Sequence, residues 1–304
     1  MLSDFCLVRH LLLLNISTQG RTPSGPPASG SVLVHPLKTG QTRAFAAVVA
    51  ILFMTWPERG FAQTDEIQVY DAEIAAPGVL NLEVHNNYTF EGLKTPRFPG
   101  GLVPNHTLNG VPEWAYGVTD WFEQGLYLPL YSVSSNLGPV LDGFKVRELF
   151  VVPHAADRTF FYGINFEFSY NAKHWDPSMY SSEIRSIFGW HLGKFDFIVN
   201  PIFDNSWKGF NNLDFAPAVR VAYNVSQTWA VAVEEYADYG VIKHFLPADQ
   251  QSQQLFGVID YKGEQFNVEA GLGFGLTAAS DRLVAKIMLS RDLYKPNKPA
   301  DRTN

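Results

Sequence analysis

Between positions 159 and 170 a large apolar side chain recurs at every second residue: Phe160, Tyr162, Ile164, Phe166, Phe168 and Tyr170. Small or polar residues fall between them, among them Gly163, Asn165, Glu167 and Ser169. A strand turns successive side chains to opposite faces, so this segment has one oily, aromatic face and one wet face. The pattern returns in Leu80, Leu82, Val84, Tyr88 and Phe90, which alternate with Asn81, Glu83, His85, Asn87 and Thr89. It returns again at 213–224 and at 265–277. Runs of about ten to twelve residues exceed the usual strand of about five or six. They match the roughly nine to eleven residues that a tilted strand needs to cross a bilayer.

The alternation predicts strands near 79–90, 112–119, 121–131, 144–152, 159–170, 182–192, 194–203, 213–224, 228–237, 254–262, 264–276 and 282–293. At about twenty residues per strand and connection, that makes about twelve. Long connections are expected at 91–111, 132–143, 171–181, 204–212 and 238–253, and short ones at 119–120, 153–158, 193, 226–227 and 262–263. Segregation of long loops from tight turns is the habit of outer-membrane barrels; the short turn at 278–281 falls on the long-loop side. The predicted fold class is all-β: an antiparallel up-and-down transmembrane β-barrel of about 12 strands behind an N-terminal signal segment. A secreted soluble β-sandwich or lipocalin-like binder is the alternative that also alternates, with its apolar face turned inward.

Charged residues make up 17% of the 304-residue chain, below the roughly 25% of ordinary soluble domains. Mean hydropathy is -0.07, as expected when half of every strand faces water. A net charge of -7 lacks the basic footprint of a nucleic-acid binder. The apolar stretch 44–54 has the length of a signal-peptide core. Lys38 and Arg43 flank it, Pro57 and Gly60 end it, and Gly60-Phe61-Ala62 leaves a small residue before a cut at Gln63. The expected division is therefore a leader over 1–40, a signal peptide over 41–62, a barrel over 63–294 and a tail over 295–304. The leader reads either as an over-extended start, with translation beginning near Val32 or Val34, or as a disordered segment. Cys6, the single cysteine, falls in it, so the mature chain offers neither a disulfide frame nor a thiolate metal site.

A hairpin signature accompanies the turns. Tyr116-Gly117-Val118-Thr119-Asp120-Trp121-Phe122-Glu123 recurs loosely as Tyr223-Asn224-Val225-Ser226-Gln227-Thr228-Trp229-Ala230, and a third version runs from Phe274 to Leu283. An aromatic closes one strand, Gly or Asn permits the bend, and Thr or Ser bonds its own backbone. Residues 112–123 and 275–282 resemble the MetA-pathway-of-phenol-degradation family of outer-membrane barrels. The resemblance implies a bacterial outer-membrane location and a transport role, and it brings no catalytic residues. Such barrels often end on an aromatic residue, whereas this chain continues past Tyr294 to Asn304.

With the apolar faces against lipid, the alternate faces line a lumen. The residues expected there are Glu83, Glu123, Glu167, Arg185, Asp214, Arg220, Glu234 and Glu269. The same charges on the lipid face would cost about 2–4 kcal/mol per Arg or Lys at the midplane. Two readings stay open: an acid-leaning channel favouring cations or neutral polar solutes, and an interior whose charges pair and fill space. Aromatics near strand ends, including Trp114, Tyr127, Tyr170, Trp190 and Trp229, suit interface girdles. Gly271-Leu272-Gly273-Phe274-Gly275 is a fragment of a phosphate loop with no helix after it, so its glycines are read as room for neighbours. Ser178, His174 and Asp176 offer a lipid-hydrolase alternative that rests on proximity alone. The leading expectation is an outer-membrane channel for passive passage of small molecules, aromatic or apolar ones included. Its expected partners are outer-membrane lipid and small solutes, with no nucleic acid, catalytic residue, cofactor or metal.

Overall fold

The computed structural model describes residues 66–296, so the leader, the signal peptide and positions 297–304 of the tail lie outside the described residues. Twelve antiparallel strands close into one cylinder. They are β1 (Leu80–Glu91), β2 (Leu108–Gly117), β3 (Phe122–Ser134), β4 (Gly138–Val151), β5 (Phe160–Asn171) and β6 (Tyr180–Leu192). Then come β7 (Phe195–Asn200 with Ile202–Asn205), β8 (Leu213–Phe215 with Ala218–Asn224), β9 (Trp229–Asp238), β10 (Ser252–Lys262), β11 (Asn267–Gly275) and β12 (Leu283–Tyr294). The breaks in β7 and β8 fall at Pro201 and at Ala216-Pro217, where a proline cannot donate to the ladder. β12 returns to β1 with Leu82 opposite Arg291 and Val84 opposite Leu289. No free edge is left to template aggregation.

The predicted elements are present, with one correction among the connections. A long loop was expected over 132–143 on the strength of its serines, glycines and prolines. Instead β3 runs to Ser134, β4 starts at Gly138, and Ser134 sits opposite Gly138 across a three-residue turn. Gly138 has φ +69°, the left-handed conformation that such a hairpin requires. β2 likewise begins at Leu108, ahead of Pro112.

The wall faces two ways. Phe160, Tyr162 and Phe168 are 43%, 52% and 47% exposed, while Phe161 between them is fully buried. Trp114, Leu126, Leu141, Phe197, Val233, Ile259, Leu272 and Leu289 are exposed on other strands. An apolar surface spread over the whole outside of a closed barrel is a lipid-facing surface, since soluble monomers expose only limited patches. A sandwich would have buried Phe160 and Phe168 between two sheets, so the soluble alternative falls.

Bulky rings on the inner face need room, and glycine supplies it. A Cβ on Gly273 would lie 2.3 Å from the Phe256 ring, and one on Gly189 would lie 2.0 Å from Phe161. The glycine run at 271–275 is therefore a seat for neighbours.

Candidate functional site

The lumen is occupied by the chain itself. Residues 66–78, which precede β1 and form neither helix nor strand, touch walls on several sides of the barrel. Ala75 N–H donates to Glu123 of β3 at 2.5 Å. Arg185 of β6 donates to the Gln68 carbonyl at 3.1 Å, and Lys286 of β12 to the Ile67 carbonyl at 3.0 Å. Gln68 reaches Glu83 of β1 at 3.2 Å. Only a segment inside the cylinder can reach all these strands. Its apolar residues are buried too: Val69 and Ala72 pack with Leu149, Phe161, Ile187 and Ile198, and Ile67 packs with Ala232, Phe256 and Val284.

Tyr70 is the centre of this inner strap. Its N–H donates to Asn200 Oδ1 at 2.7 Å, and its carbonyl accepts from Asn200 Nδ2 at 3.0 Å. Its hydroxyl shares a hydrogen bond of 2.7 Å with the Tyr127 hydroxyl and lies 3.3 Å from Glu167 Oε1. The Arg185 guanidinium sits 4.2 Å from the ring centroid and that of Arg147 sits 5.6 Å away, within cation–π range. Burial, joined by Glu66 and Glu167, pushes the Tyr70 phenol well above its ordinary range, which keeps it a neutral donor.

Each residue expected on the wet face has a definite place. Glu123 pairs with Arg147, which also meets Glu113 at 2.7 Å. Glu167, 1% exposed, accepts from Asn165 at 2.9 Å and from Lys145 at 3.4 Å. Arg185 bonds Glu183 at 2.7 Å and Glu66 at 3.3 Å. Glu83 lies 3.6 Å from His85, which contacts Glu113 at 3.3 Å. Across the barrel Arg220 joins Glu234, Asp260 and Glu269, and Lys286 binds both Glu234 and Glu269. Asp214 stands apart, opposite Asp204 where β8 and β7 meet and bridged to Val241.

Several contributors were not anticipated. Tyr127, expected in an interface girdle, is fully buried and points inward. The reason is strand parity: it lies four residues after Glu123, on the same face of β3. That signal was present in the sequence. Asn165 carried the same signal, since the alternation had put it on the wet face with Glu167; Asn200 was not singled out, and the strap had no signal, because an irregular segment carries no periodicity.

The loop side of the barrel is covered. The β1–β2 connection leans in, burying Leu102 completely, and its N–H donates to the His174 carbonyl at 3.3 Å. Asn136 bonds Gly101, and Arg97 bonds Asp281 at 3.3 Å. His174 pairs with Asp142 at 2.9 Å, Asp142 accepts from Ser132 at 2.6 Å, and Ser178 bonds Asp176 through its own N–H. The suggested Ser178–His174–Asp176 set is thus not assembled, and in the Ser132 chain the carboxylate, not the imidazole, meets the hydroxyl. At the other end, a cavity of about 270 Å³ reaches Tyr70 and Arg147 past Gln68, Asp71, Glu83 and Glu113. Among the described residues no group of three or more His, Cys, Asp or Glu side chains is placed to hold a metal ion.

No protein-family model and no curated protein matches the sequence. Among solved structures, an outer membrane channel from Pseudomonas putida F1 is similar, with a TM-score of 0.51 and 12% identity over 75% of this chain and 100% of that one. The NanC porin has a TM-score of 0.48 and 8% identity over 70% of this chain and 100% of its own. At such identity the first likeness speaks for the fold. Together with an apolar exterior that only lipid suits, it makes the protein a transmembrane β-barrel with the fold of outer-membrane channels.

Proposed function

We propose that the protein is a channel for passive passage of small molecules across the outer membrane, shut in the described state by its own residues 66–78. The carrying observation is the contrast between an apolar outer face and an inner face to which every strand brings charge, β7 through Asp196 and Asp204. The inner face leans acidic: Glu83, Glu113, Glu123, Glu167, Glu183, Glu234, Asp260 and Glu269 outnumber Lys145, Arg147, Arg185, Arg220 and Lys286. Rings of carboxylates favour cations and neutral polar solutes. Glu83, Glu123, Glu167, Arg185, Asp214, Arg220, Glu234 and Glu269 would line the path once the strap moves. A preference for aromatic solutes, and kinship with the MetA-pathway-of-phenol-degradation family, belong to this reading through the turn motifs. Transport here needs no turnover and no cofactor.

Reversal potential under a salt gradient in planar bilayers tests this. Cation-preferring current from the chain lacking residues 66–76 is the expected result. Anion preference, or silence from that chain although its gel mobility still shifts on boiling, contradicts it.

A further inference from the structure

Acidic residues stand directly opposite one another across four consecutive strands. Glu167 of β5 is opposite Glu183 of β6, Glu183 is opposite Asp204 of β7, and Asp204 is opposite Asp214 of β8. Ile202, two residues before Asp204, packs in the inner cluster with Ile187 and Ile198, so strand parity turns the row toward the lumen. Neighbouring strands lie about 4.8 Å apart, which gives the row a span of about 14 Å. Like charges placed directly opposite destabilise a sheet, and here the pairing occurs in succession.

The row is short of cations. Glu167 takes Lys145 and Glu183 takes Arg185. The charges acting on Asp204 are Glu183, Asp238, Asp214 and the already engaged Arg185, and those acting on Asp214 are Asp238 and Asp176. The strap adds an independent sign. Glu66, 6% exposed, is held by the same Arg185 guanidinium that holds Glu183, and its Oε2 is buried without a partner. A buried carboxylate oxygen with no donor, beside a row of opposed acids, leaves a place for ammonium groups. A divalent ion needs its oxygens gathered at about 2.0–2.6 Å, and among the described residues no three acids are so gathered. The charge is spread along a line. We propose that this row is a binding site for linear polyamines, whose ammonium groups recur along an extended chain. Each ammonium makes charge-assisted bonds to carboxylates, and joining several on one chain makes every further contact intramolecular. The inference rests on the channel reading in treating polyamines as solutes that pass, and it names their class.

Titration calorimetry of the folded full mature chain in detergent compares spermidine with butylamine and magnesium at one salt concentration. Spermidine should bind at least about tenfold more tightly than either. Asp204→Asn combined with Asp214→Asn removes repulsion, so that variant should fold, its gel mobility still shifting on boiling. Its spermidine affinity should fall about tenfold, the effect of lost bonds to charged groups. Magnesium or butylamine binding as tightly as spermidine overturns the site, as does undiminished spermidine affinity in the double variant. No spermidine binding, while the chain lacking residues 66–76 conducts, overturns the site alone. Selective spermidine binding by a barrel whose shortened chain stays silent upholds the site and overturns the channel reading.

Discussion

From β8 to β12, Arg220, Glu234, Asp260, Glu269 and Lys286 pair with one another across the wall, and the strap receives only Lys286 at the Ile67 carbonyl and the exposed Lys262 at Glu73. From β3 to β7 the wall turns toward the strap instead. Both amide ends of Asn200 go to the Tyr70 backbone, Tyr127 and Glu167 go to its hydroxyl, and Arg185 serves Gln68 and Glu66. One half of the lumen is therefore self-sufficient, and the other is complete only while the strap is home. Charges paired within the wall are structural; polar groups whose partner lies on the strap are where the proposed opening would be decided.

This contrast can be broken from either side. The largest loss should follow Arg220→Met, which leaves Glu234, Asp260 and Glu269 without their shared guanidinium. Removing one partner of a buried network costs about 3–5 kcal/mol, read as a lowered urea midpoint of the detergent-folded barrel, with the strap still seated. A midpoint unchanged from the native one would show that Lys286 alone neutralises the cluster. A smaller effect of another kind is expected from Asn200→Ala. It removes both bonds to the Tyr70 backbone, about 1–3 kcal/mol, and that loss falls on strap docking. Open-channel events should become more frequent while the global unfolding midpoint moves little; the reverse outcome would make Asn200 a part of the wall only. The smallest effect serves as an outer-face control. Tyr131→Phe deletes a hydroxyl that donates to Asn86 Oδ1 at 2.7 Å, so stability should fall by about 1 kcal/mol with gating unaltered. A change in channel opening would show that the two faces are coupled.

The barrel was legible because a transmembrane wall imposes a strict period of two over long runs. Phe160 to Tyr170 and Phe266 to Leu276 announce their strands and their outward face without help from distant contacts. The same parity placed Glu83, Glu123, Glu167 and Glu234 on the other face; Glu123, Glu167 and Glu234 are buried, and Glu83 is half-buried and accepts from Gln68. Parity failed where composition mimicked a loop: Ser132, Ser134 and Gly138 belong to paired strands that continue past the expected boundary. It was also set aside for Tyr127, whose ring suggested a membrane girdle although Glu123 fixed its face. The strap was out of reach. Residues 66–78 show no alternation and no helical spacing, and their position depends on groups up to 219 residues away, as with Ile67 and Lys286. Pairing of that kind is a property of the closed cylinder.

The most direct test compares unitary conductance of the native chain with that of the chain lacking residues 66–76, in the same planar bilayers and salt. The account predicts a shut or barely conducting native barrel and a several-fold larger, cation-preferring conductance after deletion. Equal conductance from the two chains would mean that the strap does not close the path, and would contradict the account.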